Sequence, residues 1–343
     1  MGSLATTMAV TDTSSGFAII AIIALLVSPR IVERVTLPPP LIYLFIGLGL
    51  ALFWPLLPVT ISESGYALSD WAVIIRTGLG LVIVYAAGLT LPLSHLKDKF
   101  TAIARTAAVK LIPPLVILPL ICLMLWPGVG DGALVVGIAL SEVSVAISWG
   151  MLHAHDRLHS EAGRNLIGVT FLVNSAVVIA VILVLHDLRV GLTLIAFIAG
   201  ISCHGRLSKA ISSAFEWCSD KFVVPLFFVA AGSMVDWIAG VREGFVALLV
   251  LLIVAELVRM PIPGLSSHRL LGISKQEGRY TDALASGRLT FAVLILGLGS
   301  AAGIVNDSML SSATLVVVML AAISAMLAHR LHNSESAKPT QGH

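Results

Sequence analysis

The chain has 343 residues, 57% of them hydrophobic and 12% charged, with a mean hydropathy of +0.99. A soluble domain is about a quarter charged, so this composition argues against a water-soluble enzyme or a nucleic-acid binder and points to a lipid solvent. The net charge of +2 says little alone; where the charges fall says more.

Apolar runs predict an all-α polytopic membrane protein of about eleven spans, near 17–35, 41–57, 72–91, 106–126, 132–152, 165–185, 188–203, 222–238, 244–262, 284–304 and 309–328. The expected organisation is a tail over 1–16, one transporter domain over 17–328 and a second tail over 329–343. The first 16 residues hold no Lys or Arg and no small-residue cleavage site, so the first run is expected to stay as a helix. Cys122, Cys203 and Cys218 have neither paired nor metal-type spacing and read as free thiols or packing residues.

Lys and Arg alternate along the connections. One set of alternate segments holds 16 of them and the other holds 2. Basic loops stay cytoplasmic, so the N-terminus is expected outside, the C-terminus inside, and the number of spans odd. This placement fits a multi-pass protein of a bacterial-type plasma membrane.

Two pairs of segments look alike. Leu44-Phe45-Ile46-Gly47-Leu48 in the second span matches Phe197-Ile198-Ala199-Gly200-Ile201 in the seventh, and Val84-Tyr85-Ala86-Ala87-Gly88-Leu89 in the third matches Phe228-Val229-Ala230-Ala231-Gly232-Ser233 in the eighth. The partners cross in opposite directions, which is the pattern of an inverted-topology repeat, with a first half near 17–185 and a shortened second half near 188–328. No G-x-x-x-x-G-K-[ST] motif is present, so an ion gradient is the expected energy source.

Further motifs fall in order along the chain. The second span opens with Leu37-Pro38-Pro39-Pro40-Leu41-Ile42-Tyr43, and the third ends in Ala87-Gly88-Leu89-Thr90-Leu91. The seventh reads Ala196-Phe197-Ile198-Ala199-Gly200, the eighth Val224-Pro225-Leu226-Phe227-Phe228-Val229-Ala230-Ala231-Gly232, and the tenth Gly287-Arg288-Leu289-Thr290-Phe291-Ala292. Together these resemble the monovalent cation:proton antiporter-2 family, the sodium/hydrogen exchanger-like membrane domain. The resemblance implies crossing discontinuous helices, alternating access, monovalent cations and protons as substrates, no resident cofactor and a homodimer. Family members usually carry about two more helices between the sixth and seventh spans; here that block is absent. The family's unwound T-x-P-type element falls on Val143-Ser144-Val145, and its sixth-span acid pair on Asn174-Ser175. The asparagine is kept and the acid is not. Thr90 and Thr290 stand where the family has further acids, while Arg288 matches.

Of 19 acids, four fall within the predicted spans; Glu33 and Asp236 sit two residues from a span end, which leaves Glu142 and Glu256 as the acids set deeper in. Glu142 lies about ten residues from either end of its span, roughly 15 Å from each face. An acid there costs on the order of 3 kcal/mol to insert, so it is expected to face protein or water. Ser141, Ser144 and Ser148 are spaced to share a helical face with it. The functional reading makes Glu142 a coupling carboxylate; the structural one makes it a serine-bonded helix lock. Glu256 reads either as an i, i+3 partner of Arg259 or as a replacement for a family lysine facing Ser175. Asn174 and Ser175 offer neutral oxygens to a cation or a polar solute, or simple interhelical hydrogen bonds. Arg288 either snorkels or pairs towards Glu142, and Lys110 is expected to snorkel. His153, His155 and His159 read as a solvated loop, with pH sensing as the alternative.

The sequence therefore points to a cation (Na⁺ or K⁺):proton antiporter, not an enzyme. The alternatives are a proton-coupled exporter of a small organic solute and a degenerate homologue acting as a membrane scaffold or sensor.

Overall fold

The computed structural model describes residues 39–53, 70–186, 191–207, 209–233, 237–259 and 265–336. The first predicted span, the N-terminal tail and residues 337–343 lie outside the described residues. The described residues form helices and no strand. In lipid each backbone N–H must be satisfied within its own segment, and long apolar runs achieve this as helices.

Helices α1 (Pro39–Phe53) and α2 (Asp70–Leu89) are followed by the short α3 (Leu93–Asp98) and by α4 (Phe100–Leu125). The fifth span is two pieces, α5 (Gly130–Ala139) and α6 (Val145–Ala154). Then come α7 (Glu161–Leu185) and α8 (Gly191–Cys203). The eighth span starts earlier than its apolar run: α9 (Lys209–Cys218) passes through a π-helical turn (Ser219–Val223) into α10 (Val224–Ser233). Hydropathy misses α9 because it is amphipathic; Phe215 packs edge-on against Tyr85 at 5.3 Å between ring centres. Helix α11 (Trp237–Leu257) bends at Gly244, and α12 (Ser267–Leu271) is short. The tenth span is again two pieces, α13 (Lys275–Ser286) and α14 (Thr290–Ala301), and α15 (Asp307–Ser336) ends the described chain. The expected start of the tenth span near 284 is corrected to Lys275. The polar first turns of α13 lower its mean hydropathy, yet most of the helix is buried between neighbours.

Helix α1 packs along α10, and α2 along α8. Both contacts are glycine on glycine. A Cβ on Gly47 would fall 2.9 Å from the Cα of Gly232, and one on Gly88 would fall 3.0 Å from the Cα of Gly200. Real side chains do not fit there, so backbones meet directly, the usual way to gain dispersion contact in lipid.

The broken spans meet in the core, where the Ser144 amide donates to the Gly287 carbonyl at 2.8 Å. Both breaks are legible locally. Ser144 is extended (φ −67°, ψ 115°) and its hydroxyl accepts from the Ile147 amide, which caps α6. Gly287 is also extended (φ −67°, ψ 139°) and ends α13. Every residue from Ser141 to Gly150 is buried.

Candidate functional site

Two breaks in buried helices expose four helix ends where no water can satisfy them. The surrounding side chains answer each end with the matching charge. Glu142 sits at the N-terminus of α14. Its two carboxylate oxygens accept from the amides of Leu289 (2.5 Å) and Phe291 (3.1 Å). Thr290 returns the favour to α6: its hydroxyl accepts from the Ala146 amide at 2.9 Å and lies 3.1 Å from the Ser144 hydroxyl. The two positive helix ends therefore carry a carboxylate and a pair of hydroxyls.

The two negative ends carry guanidinium groups. Arg288 donates to the carbonyls of Leu140 (2.5 Å), Ser286 (3.0 Å) and Ala255 (2.8 Å). Arg259 donates to those of Ala285 and Ser141, both at 2.5 Å, and to that of Glu142. Both arginines are buried, and together they staple the end of α5 to the end of α13. The planar five-donor fork suits this task, since each arginine must satisfy several fixed carbonyls. Neither reaches the Glu142 carboxylate, which has no cationic side chain within ion-pair distance among the described residues. Glu142 is fully buried, so this conformation is occluded around it.

The family model for the sodium/hydrogen exchanger transmembrane domain matches residues 18–193 and 169–329. The chain belongs to that family. The two matched segments overlap at 169–193. Among solved structures, the exchanger resembles the sodium proton antiporter MjNhaP1 from Methanocaldococcus jannaschii, determined at pH 8. The TM-score is 0.62, and the alignment covers 97% of this chain and 100% of that one. At 14% identity the likeness speaks for the fold alone. A search of proteins with curated functions finds no match. Membership places the chain in a family of integral, multi-pass membrane transporters.

The structure gathers some of the sequence candidates and disperses others. Asn174 lies beside Glu142's segment, but both ends of its amide are spent: Oδ1 accepts from the Val143 amide (3.2 Å) and Nδ2 donates to the Val143 carbonyl (2.7 Å). It braces the unwound stretch from both sides of the Val143 peptide. Ser175 turns back to the Phe171 carbonyl at 2.7 Å, and Ser141 to that of Gly137 at 2.9 Å. The expected serine face of the fifth span is corrected, because 140–144 is not helical, the Ser141 hydroxyl turns to Gly137 and the Ser144 hydroxyl meets Thr290. Arg288 does not snorkel; it is fully buried. The Glu256–Arg259 pairing is also corrected, since Arg259 spends its Nη donors on carbonyls. Glu256 is half-buried on α11, and its Oε1 is buried without a hydrogen-bond partner.

One buried pair escaped the sequence reading. Lys110 of α4 meets Asp282 of α13 at 2.7 Å, and the Ser267 hydroxyl donates to the same carboxylate at 2.5 Å. Lys110 is 3% exposed and does not snorkel. Asp282 fell just outside the predicted tenth span, so no acid was in view to hold the lysine. Lys110→Met is expected to lower stability by about 3–5 kcal/mol, because it strands a buried carboxylate. Adding Asp282→Leu is expected to regain most of that loss. Thermal melts of the single and double variants in detergent check both statements.

Proposed function

We propose that this exchanger is a monovalent cation:proton antiporter that works by alternating access in a bacterial-type plasma membrane, with Glu142 as its coupling carboxylate. One observation carries the reading: Glu142 is a buried acid at the crossing of two broken helices, held by neutral backbone amides and not by a side-chain cation. A carboxylate tied to a lysine or arginine must first break an ion pair to bind a substrate. Glu142 can exchange its amide contacts for a proton or for a cation of the same charge. The two substrates then compete for one group, and either leaves the same net charge at the crossing. Glu256, with one oxygen unpartnered, is the second coupling candidate.

The glycine contacts support a two-fold architecture for the proposed rocking motion. Exchanging Gly47 with Gly200 and Gly88 with Gly232 carries one helix contact onto the other, as an inverted repeat requires. The odd, alternating charge pattern supports an N-out, C-in orientation. A homodimer follows from the family resemblance and is part of the same proposal.

The second reading, a non-transporting scaffold, is favoured by the closed hydrogen bonding around Glu142. Solute export has less support, because Asn174 is committed to the backbone. The deciding experiment is cation-induced dequenching of a pH dye in inside-out vesicles, screened with Na⁺, K⁺ and Li⁺. Antiport predicts a cation-dependent signal. Silence from a folded protein across cations and pH would leave the scaffold standing.

A further inference from the structure

The histidines after the fifth span do not form one loop cluster. His153 stacks on Trp149 and faces Asp220 at 3.6 Å, and His159 is exposed. His155 instead turns inward to meet the last helix. Its ring stacks on His332 at 4.0 Å between centres and on His329 at 5.5 Å. Its Nε2 lies 3.2 Å from His329 Nδ1, and its Nδ1 lies 2.8 Å from the Tyr280 hydroxyl. The 30-residue α15 is about 45 Å long, longer than the roughly 30 Å apolar core, so its final turns reach past the membrane. They do so on the side that the basic loops assign to the cytoplasm.

The hydrogen bonds run in one direction. Asn333 Nδ2 donates to His329 Nε2 (3.1 Å), so His329 has its proton on Nδ1 and donates to His155 Nε2. His155 then has its proton on Nδ1 and donates to Tyr280, whose hydroxyl donates to the Met151 carbonyl at 3.4 Å. In this relay each imidazole acts in its neutral form, with one donor and one acceptor nitrogen. Adding a proton to His155 places a donor on Nε2 against the donor Nδ1 of His329. The charged and titratable groups around His155 are Arg157 from the next loop, Tyr280 from α13, and His329 and His332 from α15. No carboxylate pairs with it among the described residues.

We propose that His155, His329 and His332 form a proton-operated latch: neutral, it clamps the last helix to the cytoplasmic halves of both broken spans, and acid releases it. The clamp bears on α6 through His155 and on α13 through Tyr280, the two pieces that must shift if the crossing is to open. Burial, followed by His332, His329 and Arg157, pushes His155 down to about 3. A depressed histidine stabilises the latched state fully above its ordinary value near 6.5 and loses that stabilisation as pH falls from there towards 3.

The test is hydrogen–deuterium exchange of the full chain in nanodiscs at pH 7.5, 6.5 and 5.5, corrected for the intrinsic pH dependence of exchange. Residues 325–336 are expected to lose protection up to about tenfold between pH 6.5 and 5.5, one proton per latch, while α4 stays constant. In His155→Phe, which keeps a ring to stack on His332, and in His329→Gln, that difference should vanish. Equal protection of the wild type at all three pH values, or a full wild-type response in both variants, would overturn the latch. The readout does not need transport, so it stands apart from the antiport assay.

Discussion

Glu142→Gln is expected to reduce cation-driven proton movement in inside-out vesicles to background while leaving a folded protein. The amide is nearly isosteric and keeps one oxygen for the α14 end. Its NH₂ meets an amide donor where the second oxygen stood, at Leu289 or Phe291. That mismatch costs about 1–3 kcal/mol, which a well-packed membrane domain tolerates. What the variant cannot do is ionise, so it cannot trade a proton for a cation. A wild-type signal that survives the substitution would remove Glu142 from coupling and pass the role to Glu256. Glu142→Asp is the useful control: it keeps the charge but falls short of the α14 end by one methylene, so weakened but measurable exchange is the expected result.

Arg288→Met is expected to cost about 3–5 kcal/mol and to lower the melting temperature by roughly 10 °C. It frees the carbonyls of Leu140, Ser286 and Ala255 inside a core with no water to take them. It also leaves Arg259 as the one guanidinium stapling the crossing. Arg288→Lys is expected to rescue little, because a single ammonium cannot reach three carbonyls set around a planar fork. Melting followed by size-exclusion fluorescence checks the series. An unchanged Arg288→Met melt would show that the staple is dispensable.

These two variants bracket how much of the site the sequence reveals. Glu142 stands out because an acid in the middle of an apolar run is costly to insert. Arg288 was visible as a matched residue, but its partners were not, since carbonyls leave no mark in a sequence. Arg259 read as the i, i+3 partner of Glu256, and only the approach of α5 and α13 turned it into a staple. Lys110 looked like a snorkelling side chain until Asp282, 172 positions away, came within 2.7 Å. Asn174 read either as a ligand or as an interhelical hydrogen-bonding residue; that its amide meets the Val143 backbone depends on where that segment passes.

The sequence by itself determined the lipid solvent, most helix positions, the alternation of basic loops and the small-residue stripes that became helix contacts. Each of these is a local or additive property: hydropathy sums along a window, and a glycine is small wherever it sits. The tertiary structure alone decided which helix end each charge answers and which histidines stack. Those depend on distances between segments far apart in the chain. In a medium without water, every helix end opened by a break must find its partner on another segment, and only the packed fold specifies which one.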